Sequence, residues 1–314
     1  MMSKAVFIDH KEGELDPKLF ARMKKNFAKV SFCMRADSDI KEKVIDAEAF
    51  LVKIFTKIDK EIINAAPKLK YIGVCSTAFD AIDTKYARSK GITVCNLGGY
   101  STEAVAEFFF ATLLETAREL ELAKNQARNE DYSFDKFLGL ELKDKTLGVI
   151  GAGTIGGRIA TIGVGFGMKI LYVAKTKKPA LEKLGGRKTT LEALAKQSDF
   201  VSINLVLNKE TKSMVSAKVI NLFKKGCIII NLAPPPLIDQ EVMMKRADKG
   251  DITFIFDHSD DIDAKLAKRF LSTKNCIVYP PTAFRTVEAN FARWDTFAGN
   301  IEKFLAGTPQ NVVN

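Results

Sequence analysis

The residues with the clearest chemical meaning lie near the middle of the chain, at Gly151-Ala152-Gly153-Thr154-Ile155-Gly156. They follow an apolar run, Thr146 to Ile150, that reads as a strand, and they open a helical stretch. In that setting Gly151 permits a tight turn, Gly153 lets backbone approach a pyrophosphate, and Gly156 lets helix and strand pack closely. The helix beginning at Thr154 and Ile155 then aims unpaired N–H groups at phosphate oxygens. A dinucleotide is the ligand that such a turn suits. The next strand, Lys169 to Val173, runs into Ala174-Lys175-Thr176-Lys177-Lys178. An acidic residue at that turn would hold the ribose hydroxyls, whereas alanine with lysines and a hydroxyl suits an added phosphate. NADP is favoured over NAD on this reading; the plainer reading of the same lysines is one more solvated face.

Strands and helices must hold these residues, and they alternate along most of the chain. Strands are predicted at Ala5 to Ile8, Val30 to Met34, Ala49 to Phe55, Leu69 to Val74 and Gly91 to Cys95, with helices at Pro17 to Phe27 and Lys60 to Ala65. Ser101-Thr102-Glu103 opens a long helix, with Val105, Ala106, Phe109, Leu113, Ala117 and Leu120 at helical spacing, predicted to run to about Arg128. Asn129 to Lys145 turns polar and aromatic. After the glycine turn, strands are predicted at Lys169 to Val173, Phe200 to Leu205, Cys227 to Asn231, Thr253 to Phe256 and Cys276 to Tyr279, and a closing helix at Val287 to Leu305. This alternation predicts an α/β protein with two doubly wound parallel-sheet domains.

Composition narrows the classes. A chain of 314 residues exceeds what one core usually serves, and 46% hydrophobic with 27% charged residues describes a packed globular protein. The longest apolar run, Phe108 to Leu114, is too short to span a bilayer, and Met1-Met2-Ser3-Lys4 opens no signal sequence, so a cytoplasmic location is expected. Cys33, Cys75, Cys95, Cys227 and Cys276 are scattered and odd in number, which predicts reduced thiols, and two distant histidines, His10 and His258, argue against a metal site. The net charge of +10 comes from dispersed lysines, so nucleic acid is not expected as a partner.

Several further segments, in order, resemble the D-isomer-specific 2-hydroxyacid dehydrogenases. They are Ala66 to Ile72, Phe79 to Asp83, Gly91 to Asn96, Gly99 to Glu107 and Phe166-Gly167-Met168, together with the glycine turn. The resemblance implies a flavodoxin-like substrate domain from the two chain ends, residues 1–97 and 288–314, and a Rossmann cofactor domain, 98–287, with the active cleft at their seam. It also implies a homodimer through the cofactor domain, a small anionic substrate, and cofactor contacts from Val206, Ala233 and Asp257.

The same resemblance places prolines where the family carries its reactive groups. In Asn231-Leu232-Ala233-Pro234-Pro235-Pro236, Pro234 stands at the family arginine that clamps the keto acid. In Tyr279-Pro280-Pro281-Thr282, Pro281 stands at the acid/base histidine. The family glutamate is shortened to Asp260, in Phe256-Asp257-His258-Ser259-Asp260. Proline has no ionisable group and no donor. His258 is either a displaced acid/base or a structural histidine, Lys53 an anion ligand or a solvated cation, and Arg285 and Arg293 are further sources of positive charge. The amides of Ser76, Thr77 and Ala78 are the remaining anchor for a carboxylate. Two functions fit: an oxidoreductase of altered chemistry or substrate, or a nucleotide-binding sensor or scaffold without turnover.

Overall fold

The computed structural model describes residues 1–259 and 262–314 and divides into two units, Met1–Ser101 with Thr286–Asn314, and Thr102–Arg285. The first holds a sheet of five strands: β1 (Met2–Ile8), β2 (Phe27–Cys33), β3 (Ala49–Val52), β4 (Tyr71–Val74) and β5 (Thr93–Cys95). They lie in the order β2-β1-β3-β4-β5, every pair parallel. Alternation of side chains feeds two cores from one sheet: Val6, Ile8, Phe50 and Val52 enter the cluster on one face, and Ala5, Phe7, Ala49 and Leu51 the cluster on the other.

Helix Val287–Leu305 brings the chain's last segment back to this sheet through Trp294, Phe297 and Ile301. Thr286 starts it by accepting the Ala289 N–H at 3.0 Å. Arg22, on helix Pro17–Lys24, clamps it with a bidentate pair to Glu302, both contacts at 2.7 Å, and a third contact to Asp295 at 2.6 Å. The tail then covers the open edge of β5, with Val313 N–H on the Val94 carbonyl at 2.9 Å.

The second unit has seven strands: β6 (Thr146–Ile150), β7 (Lys169–Val173), β8 (Arg187–Lys188), β9 (Phe200–Ile203), β10 (Cys227–Asn231), β11 (Ile252–Phe256) and β12 (Cys276–Val278). Their order, β12-β11-β10-β9-β6-β7-β8, reverses direction at β6 and β9, the doubly wound pattern with its switch point between those two strands. Gly148 in β6 has a packing reason: a Cβ there would lie 2.2 Å from Ser198 Oγ and 2.6 Å from Leu194 Cδ2. Among the described residues no helix is long and apolar enough to cross a membrane, and all five cysteines are free thiols, four of them buried.

The structure corrects several predicted elements. The long helix predicted to reach Arg128 is two, Thr102–Ala117 and Leu120–Arg128, with Glu119 in the left-handed region at φ 51°. Its carbonyl at Ala117 is taken by the Leu140 N–H at 2.7 Å, a tertiary bond that ends the first helix. Helix Pro17–Lys24 stops short of Phe27, which instead begins β2 beside Met2. Strand β3 ends at Val52, not Phe55, because Phe55 adopts φ 68°.

Candidate functional site

The carboxyl edge of the seven-stranded sheet gathers the predicted cofactor residues. After β6, Gly151 turns at φ 92°, and a Cβ there would meet the Asn204 carbonyl oxygen at 2.6 Å. A Cβ at Gly156 would lie 2.2 Å from the Gly151 oxygen, whereas one at Gly153 would meet nothing within 4 Å. Two glycines are thus required by the fold, and the third leaves a bare approach. Gly153 caps helix Thr154–Gly165 in extended conformation with no side-chain hydrogen bond, so the N–H groups of Thr154 and Ile155 remain for an outside acceptor. The Gly151 and Ala152 N–H groups tie the turn to β7 through the Val173 carbonyl, at 3.0 and 3.4 Å. This geometry fits a pyrophosphate.

At the end of β7, Ala174 is half-buried while Lys175, Thr176 and Lys177 are exposed. Lys175 pairs with Glu210 at 2.5 Å, and that contact holds the Glu210 carboxyl below its ordinary pKa. Lys188 adds a cation that sequence reasoning missed: its Nζ donates to the Lys175 carbonyl at 3.0 Å. It sits on a strand of only two residues, paired to Tyr172, which no periodicity can reveal.

Val206 is exposed, its carbonyl held by Thr211 Oγ1 at 2.7 Å. Beyond β10, Asn231 is buried; its Nδ2 donates to the Ala233 carbonyl at 2.7 Å, and Ala233 is buried as well. Pro234 follows at φ −55°, ψ 141°, a conformation native to proline, and the Pro236 carbonyl accepts from the Ser213 N–H at 2.8 Å. Asp257 and His258 follow β11, the His258 Nε2 standing 3.7 Å from Asp257 Oδ1. Asp260 lies outside the described residues. Beyond β12, Tyr279 donates its hydroxyl to Glu115 at 2.7 Å, and the Thr282 N–H closes a turn on Pro280 around Pro281. The segments at Pro234, Asp257 and Pro281 thus leave three adjacent strands side by side, and the two prolines contribute neither donor nor proton. Among the described residues no three metal-ligating side chains form a group.

The carboxyl edge of the five-stranded sheet holds the other candidates. Lys53 keeps a side chain that is 43% exposed and pairs with Glu14 at 2.5 Å. His10, 3% exposed, lies between Phe7 and Trp294, and among the described residues neither ring nitrogen has a hydrogen-bond partner. Burial lowers its pKa to about 4, against the pull of Glu14, whose Oε2 is 4.0 Å away. Cys75 is inert: burial pushes its thiol up to about 12. The turn after it is pinned from inside, by Ser76 Oγ on the Ala78 carbonyl at 2.5 Å, Thr77 Oγ1 on the Leu97 carbonyl at 2.9 Å and Asn96 Nδ2 on the Thr77 carbonyl at 2.7 Å. Asn300 in turn holds Asn96, at 2.8 Å.

Comparison with known proteins bears on these sites. The family described as D-isomer specific 2-hydroxyacid dehydrogenase, NAD binding domain, matches residues 110–283. The glyoxylate reductase of Thermococcus litoralis is 35% identical over 286 residues, 87% of this chain and 85% of its own length. The hydroxypyruvate reductase of Blautia hydrogenotrophica is 32% identical over 267 residues, 82% of this chain and 83% of its own. Among solved structures, an acyclic imino acid reductase in complex with NADPH and D-Arg superposes with a TM-score of 0.84 at 26% identity, over 99% of this chain and 100% of that one. The D-lactate dehydrogenase of Aquifex aeolicus complexed with NAD and lactic acid gives 0.83 at 27%, over 97% and 96%.

Proposed function

The chain belongs to the D-isomer-specific 2-hydroxyacid dehydrogenase family, and from that premise we propose an NADP-dependent oxidoreductase whose substrate brings its own proton, a 2-imino acid in place of a 2-oxo acid. One observation carries the reading: the glycine turn is built to hold a dinucleotide, while Pro234 and Pro281 leave no clamp and no acid at the family's reactive positions. A nicotinamide supplies a hydride when bound. Everything else must come from the chain, and general acid help is worth about 10²–10⁴ in rate when a carbonyl oxygen is to be protonated. A protonated imine already carries that proton and leaves as a neutral amine. The similarity to an imino acid reductase that binds NADPH supports this choice.

In this reading Gly151, Gly153, Gly156, Thr154 and Ile155 take the pyrophosphate, and Lys175, Thr176 and Lys177, backed by Lys188, face the adenosine end, where the absence of an acidic residue after Val173 supports NADP over NAD. Ala174, Val206 and Ala233 line the nucleotide, Asp257 holds the carboxamide and orients His258, and the Ser76 to Ala78 turn takes the carboxylate. Exposed Leu120, Leu122, Tyr132, Phe134, Leu138 and Leu140 on the second unit support a homodimer formed through that unit.

The two prolines also favour a second reading, a nucleotide-binding sensor without turnover. Titration with NADPH and NADH by nicotinamide fluorescence, followed by NADPH oxidation with glyoxylate or pyruvate in the presence and absence of methylamine, separates them. Tighter NADPH binding and turnover only with the amine are expected. Binding without turnover under either condition selects the sensor, and no binding of either nucleotide overturns both.

A further inference from the structure

Arg293, half-buried on helix Val287–Leu305, lies over the Trp294 ring at 4.6 Å, and its Nε is buried without a hydrogen-bond partner among the described residues. Three carboxylates of the first unit are already engaged, Glu14 by Lys53 and both Asp295 and Glu302 by Arg22. Trp294 belongs to the same core cluster as Cys75, Leu97 and Tyr100, the cluster from which the pinned turn after Cys75 leaves. Its charge is felt there: burial raises the Cys75 thiol and the Tyr100 phenol, and Arg293 opposes both.

We propose that Arg293 binds the substrate carboxylate beside the pinned turn of the first unit. A planar guanidinium fork beside a turn of backbone N–H groups is suited to a carboxylate. Lys53 does not serve in its place, because Glu14 already occupies it. This rests on the oxidoreductase reading above for the identity of the ligand, but the residue and its carboxylate affinity are tested without turnover.

Trp294 is the only tryptophan in the sequence, so its emission reports on Arg293 directly. The full chain, in the presence of NADP⁺ and at constant ionic strength, is titrated with oxamate, with calorimetry as a second readout. A saturable change is expected for the wild type, a loss of about tenfold or more in affinity for Arg293→Met, and an intermediate loss for Arg293→Lys, which keeps the charge without the fork. Lys68→Met, which removes an exposed cation paired with Asp46, is expected to leave the titration unchanged. Circular dichroism checks the folding of each variant, and Arg293→Lys carries the test if Arg293→Met does not fold. Wild-type affinity in both Arg293 variants, no saturable response in the wild type, or an equal loss in Lys68→Met overturns the assignment. Arg293-dependent oxamate binding in a chain that binds neither NADPH nor NADH would sustain it while sinking the oxidoreductase reading.

Discussion

The glycine turn after β6 and the proline segments after β10 and β12 leave the same edge of one sheet, yet they ask different things of their residues. At the turn the ligand-facing groups are backbone N–H, so the requirement on side chains is to be absent: Gly151 and Gly156 would drive a Cβ into carbonyl oxygens, and Gly153 keeps an approach bare. At Pro234 the backbone asks nothing that proline cannot meet, since φ −55° is its own preference. On the proposed function, only the chemistry of a side chain is lost there. The backbone therefore constrains Gly151 and Gly156 far more tightly than it constrains position 234.

Gly156→Ala breaks the comparison most severely. Its Cβ meets a backbone oxygen that cannot swing aside, so about 1–3 kcal/mol of stability and about 100-fold in NADPH affinity are expected to go together, read by urea unfolding and nicotinamide fluorescence. Gly153→Ala separates the two effects: an unchanged unfolding midpoint with about tenfold weaker NADPH binding is expected, because the new methyl meets only the ligand. Loss of stability in Gly153→Ala would show that its openness has a structural cause.

Acid should act on the first unit through His10. The ring's pKa is depressed by burial from 6.5 to about 4, so the folded state binds fewer protons than the unfolded chain between those values. The contribution of the neutral ring is fully present above pH 6.5 and is lost as pH falls towards 4, about 3 kcal/mol in all. Urea unfolding followed by Trp294 emission is expected to show that loss in the wild type and a flatter profile in His10→Leu. Parallel profiles would refute it.

Smallest is the effect at Lys188. Lys188→Met is expected to lower the NADPH preference over NADH by about threefold, because this cation reaches the β7 end only through the Lys175 carbonyl and remains exposed to screening. An unchanged ratio of the two affinities would remove Lys188 from the nucleotide site.

What was legible in the sequence follows the same division. Strands β6, β7 and β10 and helix Val287–Leu305 have the ends that their apolar patterns predict, because nothing outside the segment decides them. The helix break at Glu119 was not legible, since the bond that makes it comes from Leu140, over twenty residues away. Short helices such as Ile40–Val44 and Thr84–Ser89 are too brief to show a period. At the sites, the glycine positions could be read from local rules, whereas the Lys53–Glu14 pair, the buried ring of His10 and the Arg293 Nε, without a hydrogen-bond partner among the described residues, are products of packing between distant segments.

The most direct test places an arginine and a histidine at the two proline positions. Pro234→Arg and Pro281→His are made together, and NADPH oxidation is measured with glyoxylate or pyruvate in the absence of any amine. Negligible reduction by the wild type and a gain of about 100-fold or more in the double variant are expected, since one clamp and one acid are supplied at once. Rapid amine-free reduction of either 2-oxo acid by the unaltered chain would contradict it.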